Sequence, residues 1–249
     1  MQTPVVEIRR FRELDLSGGV VIEAFPSVGL VSAIVGTYII SSLELDQIAA
    51  MDSPWFPPVS MIYAQKPKFP ARIYATGRHK IAVCLSEFTM PAYLDRSIAK
   101  SILSWANEER CSLVISLCGI SVSDEKAKRQ GDGVSVLGVG TTDQARQILM
   151  DNGISQLDFG VVPGITGALL NEGKLNAANV IALIVEADSE VPDARAAALM
   201  VEAIDMLLPQ IDLEVSPLYV EAEEIESRLR IVREQAKPAR SPIRPSPYT

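Results

Sequence analysis

Histidine is almost missing from this chain, since His79 is the only one among 249 residues. That excludes a metal centre built on several imidazoles, and any Ser-His-Asp triad would depend on this one residue. Cysteine is scarce too. Cys84, Cys111 and Cys118 are an odd number, form no CxxC pair and sit in apolar surroundings, which argues against a disulfide framework or a structural zinc site. Metal and cofactor are therefore not expected, and the compartment expected is a reducing cytoplasm. Positive charge is in deficit: the formal net charge is −8. The basic footprint that phosphate backbones require is absent, so nucleic acid is not an expected partner. No apolar run reaches the roughly 18 residues of a membrane span, and MQTPVVEIRRFREL at the start has no apolar signal core, so neither a membrane nor export is expected. What the chain does have is 48% hydrophobic residues, enough to fill the core of one large domain.

Short β-branched runs bounded by Gly and Pro predict strands at Val5 to Ile8, within Gly18 to Phe25, at Gln47 to Asp52, Val59 to Ala64, Ala71 to Ala75 and Lys80 to Glu87. Between the first two and the rest, Pro26 to Leu45 is apolar nearly all round and of helical length, which predicts a buried helix. After Pro91, residues Leu94, Ile98, Ile102 and Trp105 fall on one face of an amphipathic helix.

The second half alternates. Leu113 to Ile120 and Val180 to Ala187 read as central strands covered on both faces, and Val134 to Gly140 as another strand. Helices are predicted after Thr142, from Ile165 to Ala177, and after Asp193 as cap, while residues 121–133 read as a solvated loop. This alternation predicts an α/β layered domain with a largely parallel sheet. Ser216 and Pro217 open a predicted helix over 216–235, where Leu218, Ala222, Ile225, Leu229 and Val232 make a short heptad seam; too short to stand alone, it must pack either on its own body or on a neighbouring protomer, the second giving a homo-oligomer. One domain thus spans 1–235. Residues 236–249, AKPARSPIRPSPYT, have four prolines and little apolar bulk, and predict a flexible tail of charge +3 on a body of −11.

Candidate chemistry lies at strand ends, in Glu87, Gly119, Glu186 and Asp188, with Glu87 and Glu186 as a possible acid/base pair or as ordinary helix caps and ion-pair partners of residues such as Arg195. Pro163 to Gly167 opens a helix whose amides can face an anion, but it lacks the Gly-Lys-Ser/Thr ending of a Walker loop. In Gly138 to Thr142 a turn and an N-cap account for every residue, His79 reads as a surface residue, and Cys84 and Cys118 read as core.

Several blocks carry a family resemblance in order: Glu23 to Val31, Asp52 to Ala75, Ser86 to Pro91, Ile115 to Ile120, Gly164 to Glu172 and Pro192 to Ala198. The chain resembles archaeal homologues of the proteasome assembly chaperones over about residues 20–229, departing from the usual pattern at Ala24, Ser27 and Cys118. The resemblance implies a three-layer α/β/α sandwich related to nucleoside phosphorylase/hydrolase-like folds, homo-oligomerisation, binding to 20S proteasome α-subunits, and no established catalytic residues or cofactor. It also gives Pro247, Tyr248 and Thr249 meaning as a hydrophobic-Tyr-any ending that docks on the 20S α-ring, its terminal carboxylate pairing with a pocket lysine. The expected function is a non-enzymatic, ATP-independent assembly chaperone or proteasome-binding factor. The alternative is a small-molecule enzyme on the phosphorylase/hydrolase-like scaffold with a pocket at the strand ends; an ATP-grasp ligase ranks last, for want of a Lys-bearing glycine loop.

Overall fold

An eight-stranded sheet organises the chain, in the order β1-β3-β6-β7-β2-β8-β10-β9. The strands are β1 (Glu7–Arg10), β2 (Val20–Ala24), β3 (Asp46–Asp52), β6 (Ala71–Thr76), β7 (Ile81–Ser86), β8 (Leu113–Ser121), β9 (Leu137–Gly140) and β10 (Val180–Ala187), while β4 (Met61–Tyr63) and β5 (Lys66–Lys68) form a separate hairpin. The computed structural model describes residues 4–121 and 135–214, with 227, 228, 230–232, 234 and 235. The predicted loop over 122–133, all of the heptad seam except Val232, and the tail after Gln235 lie outside the described residues.

Helices α1 (Val31–Ser42), α2 (Asp95–Glu108), α3 (Asp143–Asp151), α4 (Gly164–Asn176) and α5 (Ala194–Leu207) flank the sheet. Strand alternation divides the core between its two faces. Ile22, Val83, Ile115 and Leu183 pack with α1, α3 and α5, whereas Val21, Cys84 and Val114 pack with α2 and α4. This is the three-layer α/β/α arrangement. The predicted stripe is buried, with Leu94 in the turn just ahead of α2 and Ile98, Ile102 and Trp105 on the helix, and each such side chain contributes roughly 1.5–3 kcal/mol relative to exposure. The caps are as expected: Thr142 Oγ1 accepts from the Ala145 amide at 3.0 Å, and Asp193 Oδ1 from the Ala196 amide at 2.9 Å.

Three expectations need correction. The sheet is mixed rather than largely parallel: β7, β2, β8 and β10 run parallel to their neighbours in that row, but the β1/β3, β3/β6, β6/β7 and β10/β9 pairings are antiparallel. The cause is local, because the connection from Thr76 to Ile81 is far too short for a parallel crossover. Helix α1 starts only at Val31, since Gly29 and Leu30 take left-handed φ values of 64° and 52° and break the run from Pro26. The first strand begins two residues late, at Glu7, because the Ser53 and Ser101 hydroxyls take the Val5 and Val6 carbonyls. None of the described helices is long and apolar enough to cross a membrane.

Candidate functional site

Neighbouring strands β7 and β2 leave the sheet towards opposite faces, β7 into α2 and β2 into α1. A crevice opens where such parallel strands diverge, outside their carboxyl ends. Here it is a cleft of about 390 Å³ walled by Phe25 to Leu30, Thr89, Met90, Asp95, Leu117 to Gly119 and the Pro163 to Thr166 start of α4. Glu23 of β2 forms its floor.

Glu23 is only 1% exposed within a strand of buried residues. A carboxylate cannot be buried so without donors, and both of its oxygens have them. Oε1 accepts from the Phe25 amide at 2.8 Å, and Oε2 accepts from the hydroxyl of Ser116, its cross-strand partner on β8. The Ser116 oxygen lies 2.9 Å from the hydroxyl of Thr166, which completes a Thr166–Ser116–Glu23 chain from helix to strand. Burial pushes the Glu23 carboxyl up from 4.5 to about 7; its two donors oppose the rise and the nearby Asp95 charge adds to it. Asp95, at the start of α2, is itself raised by burial. Cys118 faces the same cleft and burial lifts its thiol to about 11, so at neutral pH it is a thiol and a poor nucleophile. The site can therefore exchange a proton near neutrality at Glu23, and no Lys, Arg or His lines it among the described residues.

The turn over the cleft is fixed by a second hydroxyl network. Ser27 Oγ accepts from the Gly119 amide at 2.9 Å and lies 2.5 Å from Ser32 Oγ, while the Ser32 hydroxyl donates to the Leu117 carbonyl at 2.8 Å. Gly119 is required here, because a Cβ would meet the Val28 carbonyl oxygen at 2.1 Å.

The expected residues fall in different places. Gly119 and the Pro163 to Gly167 turn do border the cleft, but Glu87 and Glu186 do not, so the envisaged acid/base pair is not assembled there. Glu87 instead forms an ion pair with Arg72, which is 1% exposed on β6. Asp188 shapes its own turn, accepting from the Glu190 amide at 2.7 Å. His79 sits at the amino end of β7, on the rim away from the cleft, and Cys84 is core. Pro247, Tyr248 and Thr249 lie outside the described residues. Among the described residues no cluster of His, Cys, Asp and Glu could hold a metal. Glu23 and Ser116 escaped the sequence reading. The available signal was a lone acid in the apolar run VVIEAF and a lone serine in LVISLCGI.

The family model for the PAC2 family matches residues 21–232, from the cleft-floor strand to the last helical residues. The chain belongs to the PAC2 family. Its fold is that of Pyrococcus furiosus PbaA, an archaeal homolog of proteasome-assembly chaperone, with TM-score 0.81, 31% identity and coverage of 95% of this chain and 100% of that one. Pyrococcus furiosus PbaB, an archaeal proteasome activator, matches with TM-score 0.75 at 21% identity, over 92% of this chain and 98% of its own, and so shares the fold. An uncharacterized protein of Methanocaldococcus jannaschii is 28% identical over 223 residues, 90% of this chain and 89% of its own. The α/β/α layers expected of the PAC2 chain are thus those of its relatives.

Proposed function

We propose that this PAC2-family chain is a non-enzymatic, ATP-independent proteasome-assembly chaperone or proteasome-binding factor, whose partners are 20S α-subunits and further copies of itself. The observation that carries this is the match to PbaA along 95% of the chain at 31% identity. It is supported by the cleft floor, where the neighbours of Glu23 already engage both of its oxygens. In this reading the body supplies the recognition surface, and Pro247, Tyr248 and Thr249 supply an anchor in which the Tyr248 ring packs into an α-ring pocket. Several tails on one oligomer would raise the effective concentration at a ring, so weak single contacts add up.

Binding of purified chain to 20S particles and to free α-subunits, followed by surface plasmon resonance, tests both levels. Removing a buried aromatic anchor costs about 2 kcal/mol, so Tyr248→Ala is expected to weaken binding about thirtyfold. Unchanged affinity would remove the tail from the account and leave the body; no binding by the unaltered chain to either form would remove the proteasome altogether.

One observation favours a second reading, a pocket for a small molecule: a carboxyl brought to about 7 at the floor of a 390 Å³ cleft. That reading requires a turnover or a ligand that Glu23→Gln abolishes while proteasome binding persists.

A further inference from the structure

At the floor of the strand-end cleft, the hydroxyl of Ser116 stands between two oxygens, Glu23 Oε2 on one side and Thr166 Oγ1, 2.9 Å away, on the other. A serine hydroxyl carries a single hydrogen, so it can donate to only one of them at a time. The charge on Glu23 decides which. An ionised carboxylate only accepts, so Ser116 then donates to Glu23 and takes its second bond from the Thr166 hydroxyl. A protonated Glu23 carries one O–H, and its Oε1 is already committed to accepting from the Phe25 amide at 2.8 Å. The proton therefore sits on Oε2 and is donated to Ser116, whose own hydrogen turns to Thr166. Both arrangements satisfy all three buried groups, and they run in opposite directions.

The reversal ends at the cleft wall, because Thr166 lines it. When Glu23 is charged, the Thr166 hydrogen is spent on Ser116 and the cleft meets only oxygen lone pairs. When Glu23 is neutral, that hydrogen is released towards the cleft and the neighbouring Cys118 sulfur. Delivery of the proton follows the same path without opening the sheet. Thr166 takes a proton from solvent at the cleft and passes its own hydrogen to Ser116, which passes its own to Glu23. Each hydroxyl gains one hydrogen and gives one up, and only Glu23 changes charge. Burial brings this equilibrium to about 7, against the pull of the Ser116 and Phe25 donors. The other titratable groups facing Glu23 are Asp95 from α2, Cys84 from β7 and Cys118 from β8, while the start of α4 brings the Thr166 hydroxyl and no charge. Burial raises both thiols, so they stay protonated at neutral pH, and Asp95 is the one charge that acts on Glu23 from outside the chain of hydroxyls.

We infer that Glu23, Ser116 and Thr166 form a hydrogen-bond relay with two directions, which turns the cleft wall at Thr166 from an acceptor into a donor when Glu23 takes up a proton. The two states suit different occupants: a carbonyl or other acceptor oxygen at Thr166 goes with proton uptake, and a hydroxyl or amine donor goes with proton release. The relay goes beyond the proteasome reading and its test contains no proteasome, so the two stand or fall separately.

The test is a pH titration of the full-length chain by NMR, with isotope labels in the glutamate carboxyls and threonine methyls. The Thr166 methyl signal is expected to move with the same midpoint as the Glu23 carboxyl, and to stand still in Glu23→Gln, whose NH2 donates to Ser116 at every pH. Asp95→Asn should lower the Glu23 midpoint, because it removes a charge that raises it, and should leave the two signals moving together. In Ser116→Ala the Glu23 carboxyl should titrate at higher pH, for want of the hydroxyl that favours its charge, while Thr166 loses most of its movement. A Thr166 signal indifferent to Glu23, or one that follows it equally in Ser116→Ala, overturns the relay. Neutron diffraction from the unaltered chain on either side of the midpoint reads the hydrogens without any substitution. The Thr166 hydrogen should face Ser116 at the higher pH and the cleft at the lower, and one orientation at both overturns the relay as well.

Discussion

Replacing Glu23 by Gln removes a group that ties the stability of the fold to pH. In the native chain its carboxyl sits at about 7, against an ordinary 4.5, because burial disfavours the charge. Between these values the native state holds a proton that the unfolded chain has released, so this group's contribution is complete below 4.5 and is lost as pH rises through about 7. At about 1.4 kcal/mol per pH unit, the shift corresponds to about 3 kcal/mol lost between pH 4.5 and values above 7. Glutamine keeps the local geometry, since its oxygen can accept from the Phe25 amide and its NH2 can donate to Ser116. Urea unfolding of both chains across this range isolates the term, because titrating groups not coupled to Glu23 cancel in the difference and Asp95, which is coupled to it, adds only a smaller contribution. The expected result is a variant that gains about 3 kcal/mol on the parent as pH rises from 4.5 to above 7. A difference independent of pH would show that Glu23 titrates alike in both states, and the burial argument would be wrong.

Three further outcomes follow from the packing. Gly119→Ala drives a methyl into the Val28 carbonyl at 2.1 Å and should cost about 3 kcal/mol or more, or leave no folded protein, in thermal unfolding. Arg72→Leu and Glu87→Leu should each cost about 3–5 kcal/mol by leaving a buried charge alone, whereas the double change should recover most of that loss in chemical denaturation. Asp193→Ala removes an N-cap acceptor from α5 and should cost about 1 kcal/mol by the same measurement; a cost near zero would mean that water replaces the cap.

How much of this was legible in the sequence depended on range. Caps at Thr142 and Asp193 and the apolar runs of β8 and β10 are written within a few residues, so pattern and capping chemistry sufficed. The mixed sheet was half legible, because the short link between β6 and β7 already demanded an antiparallel pair while strand order did not appear in the chain. The break at Gly29 and Leu30 was hidden by apolar composition, which is common to a buried helix and to a buried turn. The cleft was the least legible part. Glu23 and Ser116 are 93 residues apart, and only the β2–β8 register sets them side by side. The family resemblance compensated, since its blocks from Glu23 to Val31, Ser86 to Pro91 and Gly164 to Glu172 are the segments that line or border this cleft.

The central claim, that this PAC2-family chain works by binding proteasome subunits, is tested most directly by analytical ultracentrifugation of the purified chain mixed with 20S α-subunits. The account predicts co-sedimentation as a discrete complex, without added nucleotide and unaffected by Glu23→Gln. Separate sedimentation of chain and α-subunits at all micromolar concentrations would contradict it.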